Sequence, residues 1–301
     1  MSEESRQRAI RRVILLTFAL NLGVAAAKIA YGAIANALSI RADGFHSLTD
    51  SANNVVGLVG LWLAARPADR GHPYGHHKFE VVAAGIVGVS LLLMAFDVAR
   101  GAIQRLFEAE SPLPVIDAGA FVVLVVTLGV NTFVATYQRR RGEQLDSVFL
   151  VSDAMHTRSD VLVTLGVLVT VGLVQLGYAN VDLIAALVIA GFIAAAGLSV
   201  LKKNLGYLAD AALLAPEHVA AIVLGVGGVA GTHKIRTRGS PGKVYVDLHI
   251  QIAPHLDVVR AHKVTHSVID AIKAGIPGVY DVLVHTEPAR PDQPYPPLPD
   301  E

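Results

Sequence analysis

The sequence predicts an all-α membrane bundle of six spanning helices followed by a small α+β domain. Three observations lead there. The chain is 53% hydrophobic and only 17% charged, with a mean hydropathy of +0.51, above the composition of ordinary soluble domains. Its apolar part, before about residue 205, divides into six runs, each meeting the roughly 20 residues needed to cross a bilayer. Beyond about residue 211 the apolar period switches to two, the signature of half-buried strands.

The first run covers residues 13–34, interrupted by Asn21 and Lys28. The second, 37–65, is followed by the polar, Pro/Gly-punctuated loop RPADRGHPYGHHK. Residues 79–107 form the third and carry Glu80, Asp97, Arg100 and Arg105. After EAESPLP comes the fourth, 115–137, then QRRRGE. The fifth is 147–176, and after GYANVD the sixth is 183–201. Basic residues sort by side. Arg6, Arg8, Arg11 and Arg12 precede the first run; Arg66, Arg70 and Lys78 follow the second; Arg139, Arg140 and Arg141 follow the fourth; Lys202 and Lys203 follow the sixth. The alternate connections IANALS, EAESPLP and LGYAN hold no Lys or Arg, so both termini are expected in the cytoplasm. Arg41, Arg100 and Arg105 weaken the pattern without reversing it. No small-residue cleavage site follows the first run, so a retained helix is expected rather than a removed leader.

The expected division is a cytoplasmic tail 1–12, a six-span domain 13–210, a soluble domain 211–290 and a Pro-rich tail 291–301. In the soluble part PEHVAAIVLGV reads as a helix and THKIRTR as a strand. KVYVDLHIQIA alternates, with Val244, Val246, Leu248, Ile250 and Ile252 on one face. A helix over 256–274 and the strand VYDVLVHTE complete αββαβ, a three-stranded sheet with helices on one side.

A formal net charge of +0 offers nothing global for nucleic acid, and none is expected as a partner. The chain has no cysteine, so any metal must be held by imidazole and carboxylate, which suits zinc, iron or manganese better than Cu(I). Two stretches supply such ligands inside the spans: ADGFHSLTDS on the second and SDAMHTRSDV on the fifth. Asp43 and Asp153, His46 and His156, and Asp50 and Asp160 stand in the same spacing, each pair 110 positions apart. Positions i, i+3 and i+7 share one helix face, and ionisable groups in a span mark functional sites by default. His46, Asp50, His156 and Asp160 together complete a four-ligand, zinc-like shell. Metal binding there displaces protons, which supplies a coupling for antiport. The competing reading is that these groups pair with one another to hold the bundle. Asp43 and Asp153 serve as supporting or entry-path carboxylates, or are satisfied at a helix kink.

On these motifs, with HPYGHHKFE between them, the chain resembles the cation diffusion facilitator family. The resemblance covers nearly the whole chain. It implies dimeric antiporters that exchange divalent metal for protons, with six spans and a cytoplasmic metallochaperone-like domain. It implies His46, Asp50, His156 and Asp160 as the transport site. The His–Asp pair on the second span is similar to the eukaryotic zinc members and favours Zn2+ as substrate and regulatory ligand, without an organic cofactor. Fe2+, Mn2+ and Cd2+ remain alternatives. The family's loop site matches Asp69, His72 and His76, whose spacing a turn can converge on one ion. Lys78 resembles a family lysine that pairs with an Asp after the sixth span, here Asp210, as an interlock. The family's binuclear cytoplasmic site matches His233, His249, His262, His285 and Glu287. His285 and Glu287 share a strand face and can chelate together. Bacterial zinc members carry Asp where Glu287 stands. The partners implied are a second copy of the chain, divalent metal ions, protons and membrane lipid, at the cell membrane. HExxH and paired Glu-x-x-His motifs are absent, so no enzyme is expected; a membrane-anchored metal sensor is the other reading.

Overall fold

The computed structural model describes residues 3–34, 44–45, 47–48, 51–107, 118–175 and 181–290. Asp43, His46, Asp50 and the tail from 291 lie outside the described residues. The chain divides into two compact units, Met1–Leu205 and Gly206–Glu301.

The first unit is helical: α1 (Glu3–Ile34), α2 (Ala52–Ala64), α3 (Lys78–Phe107), α4 (Ala118–Gln144), α5 (Val148–Gln175) and α6, which begins at Val181 and runs to Leu208. Among the described residues, four helices are long and apolar enough to cross a membrane: Glu4–Ile34, Lys78–Gln104, Phe121–Gln144 and Ala186–Leu208. Trp62, Phe96, Phe121, Phe133 and Phe192 are each more than half exposed. An aqueous surface rarely carries so much outward aromatic area, whereas lipid accepts it.

Two helices run further than their apolar stretches. Helix α1 already begins at Glu3, so most of the expected tail 1–12 is helical. Arg6 gives the reason: its guanidinium donates from Nε to the Leu145 carbonyl at 2.7 Å and from Nη2 to that of Asp146 at 3.0 Å. Those carbonyls follow the end of α4, where no helical N–H remains to satisfy them. Glu80, buried in the first turn of α3, lies 3.6 Å from Arg6 and accepts from Ser147 Oγ. Helix α4 continues through QRRRGE, which the sequence reading placed beyond the span. Arg139 pairs with Glu143 at 2.8 Å and Arg141 donates to Gln144 at 2.9 Å, the i,i+4 and i,i+3 contacts that extend a helix into polar sequence.

Helix α2 packs against α5 through Gly57. A Cβ there would meet the ring of Phe149, a residue only 1% exposed, at 2.1 Å. Gly57→Ala is therefore expected to destabilise the chain by about 1–3 kcal/mol, read as a lower melting temperature of the full-length protein in detergent.

The second unit contains α7 (Pro216–Leu224), β1 (Val229–Ser240), β2 (Lys243–Ile252), α8 (Val258–Gly275) and β3 (Val279–Pro288). The strand order is β1-β2-β3, antiparallel then parallel. The parallel step needs a crossover, which α8 supplies. Pro216 suits the first turn of α7, and the Asp257 carboxylate caps α8 by accepting from Arg260 N at 2.8 Å. Val244, Val246, Leu248, Ile250 and Ile252 are buried against Val219 and Val223 of α7 and Val264, Val268 and Ile272 of α8. Each fully buried aliphatic side chain contributes about 1.5–3 kcal/mol. Both helices thus cover one face of the sheet, and the odd-numbered residues of β2 project from the other.

Candidate metal centres

Three groups of potential ligands arise from three different local geometries. The first lies in the helical unit. His156 and Asp160 are one turn apart on α5 and line a cavity of about 80 Å3 with Asn21, Lys28, Ser47 and Asn131. His156 is 4% exposed and Asp160 is partly exposed toward this space. Their counterparts His46 and Asp50 fall outside the described residues. Ser47, the neighbour of His46, does line the cavity.

Asp153 also borders this cavity, at one end of a buried polar chain. Gln138 donates from Nε2 to Asp153 Oδ2 at 2.5 Å and to Thr17 Oγ1 at 3.2 Å, and Thr17 donates to Asn54 Oδ1 at 3.4 Å. Thr157 Oγ1 donates to Gln138 Oε1 at 3.4 Å. All five residues are at most 4% exposed. The chain ties α1, α2, α4 and α5 together beside His156. Sequence reading passed over Gln138, Thr17 and Asn54. Their signal was a scatter of amides and hydroxyls through apolar helices, where each must find a partner.

The second group is local. Asp69, His72 and His76 offer ligand atoms all within 4.8 Å of one another. Asp69 Oδ1 accepts from the backbone N–H groups of Gly71 at 2.8 Å and His72 at 2.7 Å, which folds the loop back on itself. His72 Nδ1 stands 3.3 Å from the same oxygen. The His72 backbone N–H is the chief cause that holds the Asp69 carboxyl below its ordinary value, helped by the His72 side chain, the Gly71 N–H and His76 against a smaller opposing effect of burial. His76 is 6% exposed, stacked on Phe79, and its Nδ1 is 3.1 Å from the Pro67 carbonyl. A carbonyl only accepts, so Nδ1 carries hydrogen and Nε2 is the nitrogen turned to the carboxylate. It lies 3.5 Å from Asp69 Oδ2.

The third group lies on the helix-free face of the sheet. The register sets His233 opposite His249, and His249 opposite His285. Three imidazoles thus form one row across three strands, with ring centroids 5.3 Å and 4.5 Å apart. Glu287 reaches back from β3: Oε1 accepts from His249 Nδ1 at 2.7 Å and Oε2 lies 3.0 Å from His233 Nε2. His233, His249 and Glu287 form the compact cluster, while His285 Nε2 stands 3.9 Å from Glu287 Oε1. The hydrogen bond from His249 is the main cause that lowers the Glu287 carboxyl from its ordinary value, with His233, His249 and Lys234 adding positive potential against a smaller cost of burial. His262 is not brought into this cluster. It sits on α8, in the helix layer, with its ring against His266 at 4.4 Å.

Lys78 opens α3 in the first unit and Asp210 follows α6 in the second, with a left-handed φ of 56°.

Comparison with known proteins agrees with this architecture at both ends. The cation efflux transmembrane domain model matches residues 14–209, and the cation efflux protein cytoplasmic domain model matches residues 215–289. Metal tolerance protein C1 of Arabidopsis thaliana is 32% identical over 92% of this chain and 62% of its own length. The cation-efflux pump FieF of Salmonella arizonae is 30% identical over 93% of each chain. An uncharacterized transporter of Methanocaldococcus jannaschii is 28% identical over 93% of this chain and 99% of its own. The apolar helices and the matched transmembrane domain indicate a multi-pass membrane protein of a transporter family. The chain belongs to the cation efflux family, the cation diffusion facilitators.

Proposed function

We propose that this protein expels divalent metal cations from the cytoplasm across the cell membrane in exchange for protons, with Zn2+ as principal substrate. The observation that carries the reading is the cavity lined by His156 and Asp160 within a bundle of apolar helices. An imidazole and a carboxylate one turn apart provide half of a tetrahedral shell. His46 and Asp50, in the same spacing on the second apolar run, supply the other half. A cysteine-free site of this type takes Zn2+ readily, and Fe2+, Mn2+ and Cd2+ are the other candidate substrates. Every ligand must lose its proton to bind metal, so metal entering from one side and protons from the other alternate on the same groups.

In this reading residues 13–210 are the transport domain and 211–290 a regulatory domain, with both termini in the cytoplasm by the Lys/Arg distribution. The working unit is a homodimer. Asp69, His72 and His76 hold a metal at the loop. His233, His249, His285 and Glu287 hold regulatory metal on the sheet. Lys78 and Asp210 are the pair that the family resemblance assigns to an interlock. Asp153, and Asp43 by its equivalent spacing, support the transport ligands from behind.

The experiment is zinc flux into vesicles reconstituted with the full-length chain. Saturable uptake that follows an imposed pH gradient is expected, with added Cd2+, Fe2+ and Mn2+ competing in an order that names the preferred ion. Metal binding without any flux, for all four ions, would replace transport with the membrane-anchored sensor.

A further inference from the structure

We propose that Lys28 is a built-in cation of the transport cavity, whose ammonium weakens the hold of the site on its divalent cargo so that the ion is released rather than trapped. The inference rests on the transport reading above.

Lys28 lies in the last two turns of α1, within a long apolar sequence, and is only 4% exposed. A lysine in a span ordinarily extends its stem toward the interface and leaves its charge in water. This one does not. Its Nζ donates to Ser47 Oγ at 3.0 Å, and it lines the same cavity as Asp153, His156 and Asp160. Ser47 belongs to the same motif stretch as His46 in the sequence.

The backbone holds the lysine there. A Cβ on Gly44 would lie 2.7 Å from Ile29 Cγ1, 2.8 Å from Ile29 N and 3.0 Å from Lys28 Cβ. Only glycine permits this approach, so α1 rests directly on the backbone that leads into His46. Asp97, the other lone charge deep in the spans, is exposed on α3 and does not line this cavity. The described ionisable groups that share the cavity with Lys28 are therefore Asp153, His156 and Asp160, all on α5.

The physical consequence follows from charge alone. A fixed positive charge in the same cavity as a bound dication raises the free energy of the occupied site, and a low local dielectric amplifies that effect. The same charge favours the empty site, where it shares the cavity with the Asp153 and Asp160 side chains. A transporter must let go of its cargo on each cycle. A site of four bare ligands would bind zinc tightly and turn over slowly. Lys28 trades affinity for release.

The test uses the full-length chain in detergent for binding and in vesicles for flux, with Zn2+ as the probe. Lys28→Met is expected to tighten zinc binding by about tenfold or more, and to lower KM and kcat together. Lys28→Arg keeps the charge and is expected to stay within about threefold of wild type. A merely structural lysine would lower kcat without tightening binding, so an unchanged or weaker zinc affinity in Lys28→Met overturns the proposal. The same tightening in Lys28→Arg also overturns it, because charge would then not be the cause. If the methionine variant does not fold, Lys28→Gln against Lys28→Arg decides on the same criterion. Wild-type flux in the same vesicles tests transport separately: its absence removes the transport reading, while the affinity comparison still reports on Lys28.

Discussion

Asp160→Asn is expected to reduce zinc flux by at least about a hundredfold while leaving the melting temperature near that of the wild type. The substitution keeps the shape of the side chain and removes its negative charge. Asp160 is partly exposed to the cavity, and asparagine fills the same space. In the proposed site the metal loses a charged ligand. His156→Ala is expected to abolish flux as well, with some loss of stability because His156 is buried. Asp153→Asn provides the contrast. Its remaining oxygen still accepts from Gln138, so flux is expected to fall far less than in Asp160→Asn. Comparable loss of flux in both variants would move Asp153 from a supporting role to a ligand.

The second large effect concerns the sheet. Glu287→Ala removes the acceptor of His249 Nδ1 and the carboxylate beside His233 in one step. Zinc affinity of the cytoplasmic site is expected to fall by about ten- to a hundredfold. Binding titration of the full-length chain would read this as the loss of one class of site. Flux at saturating zinc is expected to persist, since the cavity ligands are intact, and any zinc-dependent tightening of the dimer, read by sedimentation, is expected to disappear. A variant that keeps its zinc stoichiometry would exclude Glu287 as a ligand. The metal-free protein adds a pH signature. The Glu287 carboxyl is held below its unfolded value of 4.5, so its contacts stabilise the fold above that value. That contribution is lost as pH falls through the lower folded value. The difference in melting temperature between wild type and Glu287→Gln should shrink on acidification below 4.5.

Much of the fold was legible because its periodicities are clean. The alternation in KVYVDLHIQIA identified which face of β2 is buried, and the register then set the three histidines in a row. The helix limits were less legible. Hydropathy ends where lipid ends, but α4 continues to Gln144 because Arg139 and Glu143 support each other in water. Of the site, the spacing of His156 and Asp160 marked a shared face. It did not reveal what lies behind that face. Gln138 and Thr17 are scattered singly through apolar stretches, and only the packing of α1 and α4 against α5 shows that they meet Asp153. His262 illustrates the opposite limit. Its position suited a role beside the other histidines, yet in one chain it lies with the helices.

The loop at 69–76 has a further consequence. All its candidate ligand atoms come from eight consecutive residues, and its shape is held by contacts within that stretch and with the nearby Pro67 and Phe79. The cavity, in contrast, needs helices separated by more than a hundred positions to find one another. Short-range contacts form early and long-range ones late. The loop's ligand geometry is thus complete while the second half of the bundle is still being made. If the proposed loop site is real, its ion is the first each molecule acquires, before there is any pathway through which to carry it.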